Sequence, residues 1–351
     1  MKIIKRKDNE KLFSSFWRDY QENNVTGPYY SPDTIEYHVV TEKEFLVSDE
    51  SFVFVNEEVC PKCLGVCFFP VYSKEGVVYS NSLAPLASTS KYLDSCFEYI
   101  DTLVDEHQIS KIELHIDVCY SQYGEWKYNY LRDYGYIDCT INDSVFMLDS
   151  SAEDLFYKLN KSSRRLVRKA LASNDCELKV YDKDSITADV FNNYKNYHFI
   201  CAGEQTRTDE SFDYMLTLIQ NSKAALLELN YLGRSVGYLL VFLSHPYVSL
   251  SSIANLPQYE REVPIYRLLY WKAIEYFSSD YDVLLYGYPA GNSLIEGFKS
   301  YMDEKQLKIA KYKSYMGGMT VPHFRGVRYF DKSLMLQDVS IFKEIMESSY
   351  E

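Results

Sequence analysis

Between Ala224 and Ala254 the sequence holds three apolar runs and two abrupt reversals, and no other stretch constrains the fold as much. Ala224–Asn230 is the first run, Tyr231-Leu-Gly-Arg234 turns the chain back into Ser235–Leu243, and His245-Pro246 breaks it before Tyr247–Ala254. Short runs rich in Leu, Val and Tyr, bounded by Gly and Pro, read as strands, and connections this brief make neighbours antiparallel. A three-stranded meander is predicted. After it, Pro264 suits the first turn of a helix over Ile265–Phe277. Val283–Tyr286 then reads as a strand, Leu294–Tyr301 as a short helix and Leu307–Tyr315 as a last strand.

Upstream, a strand at Cys176–Tyr181 and helices over Asp184–Ala202 and Asp209–Gln220 lead into the meander. The first half mixes the same ingredients less regularly. Helices are expected at Glu10–Asn23 and Ser90–Glu106, with strands at Ser51–Val55, Leu64–Tyr72, Lys111–Val118 and Asp143–Leu148. The fold class is therefore α/β with mixed α+β sheets. A chain of 351 residues exceeds a typical single core, so two domains are expected. They are placed at 1–150 and 151–330, joined through a basic helix at 155–172, with 331–351 as a C-terminal tail or helix.

Charge narrows the partners. Fifty acids against 37 bases give a net charge of −13, which repels DNA and anionic membranes at long range. Yet Leu155–Asn174 holds six bases (Lys158, Lys161, Arg164, Arg165, Arg168, Lys169) and no acid, a local patch for an anion or a solvated face paired with acids. The charged N-terminus has no apolar signal core and no segment is long and apolar enough to span a membrane, so a cytoplasmic protein is expected. Cys60-Pro-Lys-Cys63, followed by Cys67, has the spacing of two zinc ligands. No second pair completes a site, and the cysteines read as small buried hydrophobes, with no metal expected.

Three features together resemble a known family. Lys158-Leu-Asn-Lys-Ser-Ser-Arg-Arg-Leu-Val-Arg-Lys-Ala170 looks like the basic segment joining the halves of FemAB-like proteins. The hairpin Leu226–Leu240, with its Gly-Arg-Ser-Val-Gly turn, is similar to that family's central hairpin. Gly297-Phe-Lys299, after a strand and a Gly/Asn loop, resembles its Tyr/Phe-Lys motif. The order β-β-β-helix-β-helix-β is that of a core in the GNAT superfamily of acyltransferases. The match is broad over residues 150–316 and rests on element order over the first half.

The resemblance implies two tandem GNAT-like domains and an acyltransferase cleft in the second. There the strands Tyr247–Ala254 and Val283–Tyr286 would splay apart and admit a pantetheine-like arm as an added strand. Acetyl-CoA or another acyl-CoA is the implied donor, held by Ser252, Ile253, Asn255, Arg261, Val263, Ile265 and Arg267 around the helix start near residue 263. Glu260 and Glu262 work against an anion there. Amine acylation needs proton transfers at the cleft, for which Tyr288, Lys299, Glu204 and His198 are the candidates. Asn292, Arg207, Arg165 and Tyr29 are candidate substrate contacts, each of which also has a plain structural reading as a turn residue, surface charge or packed aromatic.

Three functions follow from this. The first is N-acylation of a small amine acceptor, such as a sugar, nucleotide sugar or other metabolite. The second is aminoacyl-tRNA-dependent transfer to a peptidoglycan precursor, to which the acidic balance offers little. The third is a GNAT-like fold that only binds. Oligomeric state is not encoded in any pattern found.

Overall fold

The computed structural model describes the whole chain except residues 25, 28, 58–59, 119–127, 174, 288–303 and 349–351. In chain order the elements are β1 (Lys2–Lys5), α1 (Glu10–Asn23), α2 (Pro32–Thr41), β2 (Leu46–Asp49), β3 (Phe52–Val55), β4 (Cys63–Cys67), β5 (Pro70–Lys74), β6 (Val77–Leu83), β7 (Leu86–Ala87), α3 (Ser90–His107), β8 (Lys111–His115) and β9 (Ile137–Asp138). There follow β10 (Ile141–Met147), α4 (Ala152–Lys158), α5 (Lys161–Ala172), β11 (Cys176–Tyr181), α6 (Ala188–Ala202), α7 (Asp209–Gln220), β12 (Ala224–Tyr231), β13 (Arg234–Ser244), β14 (Tyr247–Asn255), α8 (Ile265–Phe277) and β15 (Val283–Leu285). The chain ends with α9 (Glu304–Ser314), β16 (Met319–His323), β17 (Arg325–Tyr329) and α10 (Lys332–Ser348).

These elements form two compact units. One runs to Asn142 and resumes at Pro322; the other starts at Asp143 and takes in Glu304–Val321. In the first unit, Asn9 caps α1 by accepting the Leu12 N–H at 3.1 Å, and the helix buries Phe13, Trp17 and Tyr20 along one stripe. The unit has two sheets, ordered β1-β3-β4-β7 and β2-β5-β6-β8-β17-β9. Phe52, Phe69, Phe97, Ile100 and Leu114 centre its core.

The second unit is one sheet, ordered β11-β12-β13-β14-β15-β10-β16, antiparallel from β11 to β14 and parallel between β14 and β15. Its core lies between the sheet and α8, where Leu227, Leu239, Leu268, Leu269 and Ile274 are fully or almost fully buried. Gly237 sets that approach, because a Cβ there would stand 2.6 Å from Ile265 Cγ2. On the opposite face, Tyr238 packs its ring against Tyr194 and Tyr197 of α6.

Three sequence expectations are corrected. Leu307–Tyr315, read as a strand from its alternating apolar residues, lies in α9 up to Ser314; Leu, Lys and Ala in that stretch, with Glu304 and Gln306 before it, favour a helix and outweigh a short alternation. The run Leu64–Tyr72 divides into β4 and β5, which pair in different sheets. The basic helix is broken into α4 and α5, because Asn160 is extended and accepts the Ser163 N–H at 2.8 Å as the cap of α5.

Candidate functional site

The parallel pairing of β14 with β15 covers only Tyr247↔Val283, Val248↔Leu284 and Ser249↔Leu285. Beyond Ser249, β14 continues to Asn255 with no ladder to β15 among the described residues. Two local causes separate the strands. On the β14 side, Leu240 pairs with Ser252 but Val241 with Leu250, so Ser251 is an inserted bulge residue that turns the strand. On the β15 side, Gly287 has a φ of +69°, a left-handed conformation that ends the extended strand, while the Tyr286 N–H still donates to Ser144 O of β10 at 2.9 Å. What remains is a wedge, one wall of which is the edge of β14 from Ser251 to Asn255, without a strand partner on that side among the described residues.

At the far end of that wall the chain enters α8, whose first residue follows Pro264 and which has no side-chain cap. The first-turn N–H groups of such a helix are donors in search of an acceptor, and the helix dipole favours an anion there. Asn255 locks the corner. It is fully buried, its Nδ2 donates to Glu260 Oε1 at 2.8 Å, and its Oδ1 accepts from Tyr266 Oη at 2.8 Å and from Cys201 Sγ at 3.3 Å. Glu260 is thereby turned to a structural partner.

The wedge also holds groups that the sequence reading did not single out. Lys313, near the end of α9, is only 8% exposed and donates through Nζ to Gly287 O at 2.6 Å, immediately past β15. Burial holds its amine down at about 8, against the pull of Asp143 on β10. The neighbouring Tyr312 stacks edge-on with Tyr266 and lies under the Arg267 guanidinium, 5.0 Å from the ring centroid. Its hydroxyl is buried without a hydrogen-bond partner among the described residues. Only long-range pairing brings α9 here, so no local motif could have announced it.

The proposed donor residues lie on this frame. Ser252 and Ile253 sit on the part of β14 that pairs with β13 but not with β15, and Val263 and Ile265 are buried at the α8 entry. Arg261 is exposed, whereas Arg267 is half-buried and donates to Ser163 Oγ at 3.3 Å. Among the proton-transfer candidates, His198 packs against Phe212 on α7; burial, with the Arg207 charge second, holds its imidazole at about 4, so it is neutral at pH 7. Glu204 is exposed and Arg207 half-buried, both in the loop between α6 and α7. Arg165 lies exposed on α5. Tyr29 belongs to the first unit, with its ring 6.1 Å from that of His38. Tyr288, Asn292 and Lys299, with the helix expected at Leu294–Tyr301, fall outside the described residues.

A second carboxylate lies behind the wedge. Glu228, Tyr238 and Ala254 form one cross-strand row over β12, β13 and β14. Burial pushes the Glu228 carboxyl up, but hydrogen bonds from Tyr181 (2.7 Å) and Tyr238 (2.8 Å) outweigh it and hold it below the usual range. It is charged and satisfied.

The first unit supplies an internal contrast. Its own parallel pair, β6 and β8, is matched from Tyr79↔Lys111 to Leu83↔His115, and the ladder runs on when the Ala84 N–H donates to His115 O at 2.8 Å. That pair is closed where the other is open. Cys63 and Cys67 are buried on β4 with thiols pushed up by burial, and no group of three or more ligand-type residues that could hold a metal occurs among the described residues.

No family model matches the sequence, and no curated protein matches it. Solved structures do. FemX superposes with a TM-score of 0.65 at 9% identity, over 86% of this chain and 92% of its own. The C-terminal domain of a candidate lysylphosphatidylglycerol synthetase from Agrobacterium fabrum gives 0.59 at 10%, over 95% and 97%. A tandem GNAT protein from the clavulanic acid biosynthesis pathway gives 0.50 at 9%, over 93% and 98%. At such identities the likeness speaks for architecture alone. The chain has the FemAB-like, tandem GNAT fold.

Proposed function

We propose that the chain is an acyltransferase working in its second unit, moving an acyl group from a carrier thioester to an amine. The observation that carries this reading is the edge of β14 from Ser251 to Asn255, which has no partner on the β15 side among the described residues, followed by an uncapped helix start at Pro264. An extended pantetheine arm can add to that edge as a strand would, and its phosphates find N–H donors at α8 with Arg267 and Arg261 nearby. Acetyl-CoA or another acyl-CoA is the donor this chemistry fits best, with a sugar, nucleotide sugar or other small amine as acceptor.

In the reaction the amine nitrogen bonds to the thioester carbonyl carbon, the carbon–sulfur bond breaks, the amine sheds a proton and the sulfur gains one. Tyr288 and Lys299 remain the proposed proton-transfer residues. His198 is a neutral imidazole able to accept a proton only weakly at pH 7, and Glu204 is the alternative base. A second reading, an aminoacyl-tRNA donor with a peptidoglycan precursor as acceptor, is favoured by the superposition on FemX and opposed by the net charge of −13.

Mass spectrometry of the purified protein, followed by calorimetric titration with acetyl-CoA and CoA, separates the two. Bound or titratable CoA is expected. Absence of CoA binding with salt-sensitive retention of aminoacyl-tRNA would replace the first reading by the second, and absence of both would leave a binding fold without transferase activity.

A further inference from the structure

A wedge in a sheet tends to close, because every unpaired N–H and C=O along it gains a hydrogen bond if the strands zip together. Something must therefore hold β14 and β15 apart when the carrier is absent. Continuing the register Val248↔Leu284 and Ser249↔Leu285 by two residues would place Gly287 opposite Ser251. Backbone groups alternate sides along a strand. The Tyr286 N–H faces β10, bonding Ser144 O, while the Val283 N–H faces the β14 side, 3.3 Å from Pro246 O. By that alternation the Gly287 N–H belongs to the β14 side, while its φ of +69° turns the carbonyl out of the extended line.

The next rung of the parallel ladder would need Gly287 extended, and its turned carbonyl is instead held where it is: Lys313 Nζ donates to it at 2.6 Å. The Lys313 side chain is brought there from the last turn of α9 and is nearly sealed from water. Burying an ammonium is costly, and apolar residues of that length would fill the same space without that cost. Its presence calls for a role. Opposite it, Ser251 is the residue that the bulge removes from the ladder with β13, and the bulge turns β14 at that point. Both members of the missing rung leave the extended line, one at a bulge and one at a left-handed glycine whose carbonyl a lysine holds.

We propose that Lys313 is a positioning residue that keeps the carrier wedge open by occupying the Gly287 carbonyl. The proposal deepens the acyl-carrier reading of the same site and rests on it for its functional consequence, though not for its structural one. Asp143 from β10 is the charged group set against Lys313, and Tyr312 with its Arg267 partner lies beside it. An ammonium is a stronger donor than an amine. The hold should therefore be full below about pH 8, where burial places the titration, and weaken above it.

The test uses full-length Lys313→Met and Lys313→Gln. Methionine keeps length and removes the donor; glutamine keeps a neutral donor. Hydrogen–deuterium exchange over residues 250–255 needs no ligand: slower exchange in Lys313→Met and wild-type exchange in Lys313→Gln are expected. In titrations with CoA, Lys313→Met should bind about tenfold more weakly. Wild-type affinity should fall several-fold above pH 8, and both variants should lack that pH dependence. Unchanged exchange and affinity in a folded Lys313→Met would overturn the proposal. If wild type binds no CoA, the donor reading falls, and exchange alone decides Lys313: slowed exchange upholds it as the strut of the wedge and unchanged exchange ends it.

Discussion

Single residues in this chain earn their place by what they prevent as much as by what they bind. Glu50 is the plainest case in the first unit. Its carboxylate is fully buried, with Lys5 at 2.9 Å, Ser48 at 2.6 Å and Lys7 as partners, so that β1 is fastened by charge as well as by its ladder to β3. Burial pushes the Glu50 carboxyl up, but hydrogen bonds from Lys7, Ser48 and Lys5 win and hold it at about 2. A carboxyl depressed on folding stabilises fully above its unfolded value and loses that contribution as pH falls towards the folded one. Stability should therefore drop between about pH 4.5 and 2. Glu50→Gln, leaving two lysines without their counter-charge, should cost about 3 kcal/mol at pH 7 in chemical denaturation and flatten the acid limb. An unchanged acid limb would remove Glu50 from its cause. None of this was visible in sequence, since Lys5 and Glu50 meet only through strand pairing. By contrast Asn255 and Arg267 entered through the family resemblance, Asn255 at the end of the strand expected to splay and Arg267 beside the helix start near residue 263.

At the scale of elements, the central hairpin, α1, α7, α8 and β11 agree with their sequence reading in type and nearly in extent. Each has a signal of its own: a turn, a cap, or a 3.6-residue stripe. The misread α9 shows the limit, since nine residues of Lys alternating with apolar groups fit a strand and a helix about equally well until packing chooses. Gly237 joins two elements that sequence treats separately. A Cβ at that position would meet Ile265 and Leu269 of α8 and the Ala254 carbonyl. Gly237→Ala should push α8 off β13, costing about 1–3 kcal/mol in thermal denaturation. Because α8 begins where the proposed carrier's phosphates would bind, CoA affinity should weaken together with stability. A stable variant with reduced affinity would also fit; full stability with full affinity would refute the close-packing argument.

For the molecule as a whole, the repeat is architectural and the opening is not repeated. Both units carry a parallel pair preceded by an antiparallel neighbour, β5-β6-β8 in one and β13-β14-β15 in the other. Only the second pair lacks rungs. One carrier per chain is therefore expected in calorimetry, and a stoichiometry of two would require the closed pair of the first unit to open. The return of β17 from residues 325–329 to β8 and β9 could not be read locally, since strand partners so far apart in sequence share no pattern.

The open wall of β14 has one more implication. Peptide groups are common to every amino acid but proline, which lacks the N–H, so a groove that grips its guest by main chain imposes almost no vocabulary on the residues that form it. Lineages can rewrite such a strand freely while the grip persists. A chain that shares about a tenth of its residues with FemX can on this account keep the same fold, and a single proline between residues 251 and 255 would be the rare spelling error that such an edge does not tolerate.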